Sequence, residues 1–199
     1  MFCLTVPTDE AWAREAARDL DAVLVDHAHC EMKAASHALS LVVRHPGDLD
    51  LVRALTDLAR EELDHFGRVV DFLAKRGLSL GAPPVDEYAA ALRRAMGALP
   101  PSPMPAVVDR LLASALIEAR SCERFKLLLQ VLPPSCPSDL RAFYEELFAC
   151  EARHYRMYVD LATRAAGEDV TERLTILAER EGAIVKALAG RDARATVHG

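Results

Sequence analysis

Two four-residue strings in this chain could do chemistry together. Glu62-Leu63-Asp64-His65 and Glu151-Ala152-Arg153-His154 each read Glu-x-x-His. On a helix, positions three apart lie about 60° from each other and one turn along, so each string turns a carboxylate and an imidazole to one side. The neighbours on that side are apolar: Leu58, Val69 and Phe72 in the first case, Tyr144, Leu147, Phe148 and Tyr158 in the second. A carboxylate facing an apolar seam is costly unless it is partnered. Glu31 and Glu118 add one carboxylate each, and the segments around them superpose without a gap. Glu31 falls on Glu118, Lys33 on Arg120, and Ala34-Ala35 on Ser121-Cys122. Glu62 follows Glu31 by 31 positions, and Glu151 follows Glu118 by 33. The chain therefore reads as two copies of one helical hairpin, each giving a Glu and then a Glu-x-x-His. Four carboxylates and two imidazoles are the ligand set of a di-iron or di-manganese centre in a ferritin-like bundle.

The metal chemistry accounts for the residue types. Carboxylates bridge two metals about 3.5–4 Å apart, and imidazole suits iron without adding charge. Two Fe²⁺ with four carboxylates form a neutral core. The small residues beside the single glutamates, Ala34, Ala35, Ser121 and Cys122, leave room for metal and O₂. A lone Glu-x-x-His is common on solvated helices; two in order, each preceded by a core-facing Glu, are not. Glu123 competes with Glu118, but it lies about 140° further round the helix and matches Ser36 in the repeat. Glu61 and Asp64 read as solvated or outlying. His27 reads as a satisfied core histidine, with a hydrogen bond to the site as the alternative. His29, His37 and His45 read as surface or interhelical. Cys30, Cys122 and Cys150 read as small buried apolar residues. Tyr144 and Tyr158 read as core.

The elements that must position these donors are helices. Segments of about 21–44, 48–76, 103–132 and 138–167 carry apolar residues at helical spacing, for example Leu51, Leu55, Leu58, Leu63, Phe66, Val69 and Phe72. They are bounded by Pro46-Gly47, Gly77, Pro133-Pro134 and Gly167. A short lead-in helix over 9–18, a connecting helix near 86–96 and a last helix over 170–189 complete the pattern. The tail, 190–199, reads as irregular. No window alternates with period two. Helices this long pack nearly antiparallel in one domain. The long connection between the second and third crosses the bundle. The expectation is a single all-α domain over 1–199, a ferritin-like four-helix bundle with a C-terminal fifth helix.

Composition bounds the rest. The 199 residues are 51% hydrophobic and 27% charged, which is ordinary globular composition. No apolar run approaches the roughly 20 residues needed to span a bilayer, and MFCLTVPTDE lacks the basic and apolar regions of a signal peptide. Five cysteines without a CxxC argue against a disulfide scaffold or a zinc ribbon and favour a reducing cytoplasm. The formal net charge of −6 weighs against a nonspecific nucleic-acid binder.

The strings LVDHAHCEMKAASHAL, AREELDHFGRVVDFLAKRG, LLASALIEARSCERF and YEELFACEARHYRMYVDLA resemble the tRNA 2-methylthio-N6-isopentenyladenosine hydroxylases over nearly the whole chain. The resemblance implies a ferritin-like, non-haem di-iron monooxygenase. It implies O₂ as co-substrate and hydroxylation of the isopentenyl side chain of the modified adenosine beside the tRNA anticodon. The metal ligands implied are Glu31, Glu62, His65, Glu118, Glu151 and His154, with no catalytic residue beyond them. Iron is the expected metal, although the donor set also suits manganese. No flavin or nicotinamide fingerprint is present, so an external ferredoxin or flavin reductase is expected to supply electrons. The other expected partner is the anticodon stem-loop; no membrane partner is expected. Candidate phosphate contacts are Lys75-Arg76, Arg93-Arg94, Arg120/Arg124/Lys126, Arg153/Arg156 and Arg191/Arg194, whose default reading is a solvated face. A monomer is expected, because one bundle encloses the whole ligand set. The rival readings are a ferritin-like di-metal oxidase or peroxidase, and an iron-binding protein, neither acting on RNA.

Overall fold

The computed structural model describes residues 2–83 and 85–189. Among them are seven helices: α1 (Glu10–Arg18), α2 (Leu20–Arg44), α3 (Leu49–Lys75), α4 (Glu87–Gly97), α5 (Ala106–Val131), α6 (Ser138–Ala166) and α7 (Thr171–Leu188). The expected irregular tail and its Arg191 and Arg194 lie outside the described residues. Two compact units carry the helices, α2 and α3 in one and α1 with α4–α7 in the other.

The helices start and stop where local chemistry requires. Asp19, Asp48 and Asp86 cap α2, α3 and α4, their side chains accepting from the backbone N–H of Ala22, Leu51 and Ala89. Gly167 ends α6 at φ +70°, a left-handed conformation that costs glycine little. The third long helix starts later than its apolar pattern predicts. Pro105 keeps Met104 out of the helical region, so α5 begins at Ala106, and the Ser102 hydroxyl instead accepts from Met104 N–H.

In the α2–α3 unit, Leu24, Ala28, Ala35, Ala38 and Leu41 are buried, as are Leu51, Leu55, Leu58, Val69 and Leu73. Leu63 does not belong to this stripe; it is 50% exposed. The buried series on α3 runs Leu51, Leu55, Leu58, Glu62, His65, Val69, Leu73. Glu62 and His65 thus occupy face positions that apolar residues hold elsewhere along the helix.

In the other unit, α5 packs against α1, α4, α6 and α7. It is buried on nearly every side, from Val107 and Leu111 to Phe125 and Leu128. An enclosed helix must be apolar all round or must pair its charges. Phe125 and Phe143 stack their rings around Tyr144, with centroids 5.5 and 5.9 Å away. Tyr144 and Tyr158 are core residues, as expected.

Candidate metal centre

The α2–α3 hairpin brings Glu31, Glu62 and His65 together. One donor atom from each lies within 4.8 Å of the others, and all three residues are buried. His65 Nδ1 stands 3.8 Å from Glu31 Oε2 and 3.7 Å from Glu62 Oε2. Donors that each sit about 2 Å from one first-row divalent ion stand about 3–4 Å from one another. The cluster therefore has the size of a metal site, and its oxygen and imidazole donors suit iron or manganese. Burial, together with the neighbouring Glu62 carboxylate, pushes the Glu31 carboxyl well above the ordinary carboxylate range. Two adjacent buried carboxylates resist ionising together, and a bound dication supplies the compensating charge.

The α5–α6 hairpin carries the second half-set. Glu118, Glu151 and His154 are buried, Glu118 being the most exposed of the three at 6%. His154 Nδ1 stands 4.0 Å from Glu151 Oε2, close to the 3.7 Å between the corresponding atoms of Glu62 and His65. The same sequence spacing on the two hairpins thus gives the same local geometry. Ser121 and Cys122 are buried beside Glu118. Burial pushes the Cys122 thiol up to about 12, so it stays protonated, and it donates to the Phe148 carbonyl at 3.3 Å. It is a packed thiol and not a thiolate donor, as its apolar neighbourhood indicated.

His27 is a core histidine, and it also reaches the site: its Nε2 stands 2.6 Å from Glu31 Oε1. Burial pulls the His27 imidazole down to about 3, so the ring is neutral. Its position one turn before Glu31 was the available signal. His29 is buried, with Nε2 3.1 Å from the Leu80 carbonyl, so it fastens the segment after α3. Glu61 and Asp64 are exposed, in keeping with solvated positions.

Arg120 and Arg124 overturn the solvated reading of the basic α5 residues, and Glu123 is buried with them: Arg120 is 0% exposed and the other two 8% each. All five Arg120 donors are satisfied. Nε and Nη2 hold the Glu181 carboxylate at 2.9 Å each. Nη2 also donates to the Val6 carbonyl at 2.9 Å, while Nη1 donates to Thr8 Oγ1 at 3.0 Å and Glu123 Oε2 at 2.5 Å. Tyr88 OH donates to Glu181 at 3.0 Å. Thr8 donates to Glu123 through both its N–H and its hydroxyl. Arg124 sits 5.1 Å from the Trp12 ring centroid. One guanidinium thus ties the N-terminal segment, α4 and α7 to the helix that carries Glu118. No periodicity reveals this arrangement, because Glu181 is 61 residues away; the only sequence signal is a charge on a helix with no polar side.

Among the described residues, no helix is long and apolar enough to cross a membrane. Residues 1–196 match the family model for tRNA-(MS[2]IO[6]A)-hydroxylase (MiaE). The chain is similar to tRNA 2-(methylsulfanyl)-N(6)-isopentenyladenosine(37) hydroxylases from two bacteria. With the Pseudomonas putida protein it is 43% identical over 159 residues, covering 80% of this chain and 74% of the relative. With the Salmonella typhimurium protein it is 29% identical, covering 92% and 83%. A solved structure, described as protein 43 with aldehyde deformylating oxygenase activity from Synechococcus, superposes with a TM-score of 0.86 at 38% identity, covering 100% of this chain and 96% of that one. The fold class is accordingly the expected one, an all-α ferritin-like four-helix bundle with a long connection between its second and third long helices and an added C-terminal helix. The donor residues are those of a di-metal cofactor. The chain belongs to the tRNA-(MS[2]IO[6]A)-hydroxylase family.

Proposed function

We propose that this chain is a di-iron monooxygenase that hydroxylates the isopentenyl side chain of 2-methylthio-N6-isopentenyladenosine beside the tRNA anticodon. The observation that carries the reading is the buried Glu31–Glu62–His65 cluster, found in a chain whose family model covers residues 1–196. The substrate follows from the hydroxylases that the chain resembles.

In this reading Glu31, Glu62, His65, Glu118, Glu151 and His154 would hold two iron ions. When bound, that pair would supply O₂ activation, the chemistry by which one oxygen atom enters a C–H bond and the other leaves as water with two electrons and two protons. The four carboxylates balance the charge of two Fe²⁺. The imidazoles of His65 and His154 complete the donor set without adding charge. His27 holds one oxygen of Glu31 and so fixes that carboxylate's orientation, the part an outlying hydrogen bond plays at a metal site. A ferredoxin or flavin reductase supplies the electrons. The reading places the protein in the cytoplasm with its tRNA, as one domain acting as a monomer that carries the whole ligand set.

The test is mass spectrometry of digested tRNA. Iron-loaded protein, a competent reductant, O₂ and prenylated tRNA should yield a modified adenosine heavier by one oxygen. The likeness to the Synechococcus oxygenase supports one second reading, the same donors acting on a small apolar substrate. Oxygen consumption with no mass gain in the tRNA would favour it over the RNA reading.

A further inference from the structure

We propose that Cys122 is a positioning residue for the metal donors of the α5–α6 hairpin, an inference that rests on the two-iron reading above. Its thiol ties α5 to α6 within about one turn of both Glu118 and Glu151. In the α2–α3 hairpin the single glutamate is held by an imidazole, His27 Nε2 standing 2.6 Å from Glu31 Oε1. The α5–α6 hairpin has no histidine at the matching place. Ser114 stands there, and its hydroxyl donates to the Arg110 carbonyl at 3.1 Å. Ser121 likewise donates to the Ile117 carbonyl at 3.1 Å. Both of these bonds stay within α5. Cys122 instead reaches across: its Sγ donates to the Phe148 carbonyl of α6 at 3.3 Å, from a side chain that is 0% exposed.

The two ends of this bond sit at the level of the donors. Cys122 follows Glu118 by four residues, which places it about 40° round α5 and about 6 Å along it. Phe148 precedes Glu151 by three residues, about 4.5 Å along α6. A helical carbonyl keeps a lone pair after accepting from the N–H four residues on, so Phe148 takes the thiol without giving up its place in the helix. The bond fixes the spacing of α5 and α6 where Glu118, Glu151 and His154 leave them, and metal affinity is sensitive to how such donors are held. The device belongs to one hairpin. The matching positions on α2 and α3 are Ala35 and Ala59, both buried and neither with a side-chain donor. The residue type has a physical reason. A serine hydroxyl in a helix is drawn to the carbonyl four residues back, as Ser114 and Ser121 are. A thiol is a weaker donor on a longer bond, so it competes less for that carbonyl and reaches the next helix.

The test is metal binding by the full chain, read by anaerobic Fe²⁺ titration and by the visible d–d bands of the Co²⁺-loaded protein. The native chain should take up about two Fe²⁺. Cys122→Ala should weaken one of the two binding steps about 10-fold or more and leave the other at its native affinity. Cys122→Ser should behave like Cys122→Ala, because its hydroxyl turns back to the Glu118 carbonyl. The Co²⁺ bands of both variants should differ from the native ones. Cys136→Ala removes another buried thiol, from the turn between α5 and α6, and controls for lost packing. It should keep both iron steps and the native Co²⁺ bands, even if its melting temperature falls. Native iron affinities and Co²⁺ bands in Cys122→Ala would overturn the proposal and leave the two-iron reading standing. Equal weakening in Cys122→Ala and Cys136→Ala would overturn it too, as an effect of packing alone. A native chain that takes up neither Fe²⁺ nor Co²⁺ would instead bring down the two-iron reading, and the role of Cys122 with it.

Discussion

His27 Nε2 stands 2.6 Å from Glu31 Oε1, one helical turn apart, with both side chains buried. The internal repeat puts Ser114 at the matching place before Glu118, and its hydroxyl donates to the Arg110 carbonyl at 3.1 Å. The two single-glutamate donors are therefore not equivalent: an imidazole orients Glu31, and no imidazole precedes Glu118 by one turn.

That difference predicts an iron-affinity phenotype. His27→Phe removes the hydrogen bond while keeping an aromatic ring in the cavity, and should weaken Fe²⁺ binding about 10–100-fold. His27→Gln, which can still hydrogen-bond the carboxyl, should recover much of the loss. Anaerobic competition against an iron chelator reads both. Equal affinity in the Phe variant and the native chain would show that the contact does not orient Glu31.

Arg120 predicts a stability phenotype separate from metal binding. Arg120→Met leaves the Glu181 and Glu123 carboxylates buried without their guanidinium and should cost about 3–5 kcal/mol. Combining it with Glu181→Leu should cost less than the two single changes added, since both charges then leave the interior together. Denaturant midpoints of the two single variants and the double variant measure the coupling. Strict additivity would mean that the two groups do not form one network.

Gly182 predicts a sign reversal. Alanine in mid-helix ordinarily stabilises by about 1 kcal/mol relative to glycine. Here an added Cβ would collide with Thr5 Oγ1 and come within 2.8 Å of Val6 Cγ2. Thr5 also donates to the Ala178 carbonyl, and Val6 accepts from Arg120, so the N-terminal segment cannot move aside without losing hydrogen bonds. Gly182→Ala should therefore destabilise, by about 1–3 kcal/mol. Thermal melting decides, and a raised melting temperature would mean that the segment yields at little cost.

The helices were legible because Asp, Gly and Pro punctuate them; Asp19, Asp48, Asp86 and Gly167 act at helix ends. The buried donors were legible because each hairpin repeats one spacing. The α3 stripe was misread at Leu63 for a related reason: Glu62 and His65 hold the inward positions, so a periodicity counted on apolar residues alone drifts off the face. The role of Arg120 was hidden because its partners, Val6, Thr8 and Glu181, come from distant parts of the chain. Local spacing offers only nearby helical neighbours for a charge, so the solvated reading prevailed where tertiary contacts decide. Glu123 is a corollary. The repeat sets it apart from Glu118, and its replacement carries a cost in stability, because it accepts from both Arg120 and Thr8.

The proposal at the centre of the account is that each hairpin gives a Glu and a Glu-x-x-His as iron ligands, with Glu118 as a ligand and Glu123 as a structural neighbour. Iron per chain in the native protein, Glu118→Ala and Glu123→Ala tests it most directly. The account predicts about two irons in the native chain. It predicts a sharp fall in Glu118→Ala, which removes a buried negative donor. Glu123→Ala should keep its iron while melting at a lower temperature. Iron retained at the native level in Glu118→Ala and lost in a folded Glu123→Ala would contradict the assignment of the α5 ligand and the internal repeat on which it stands.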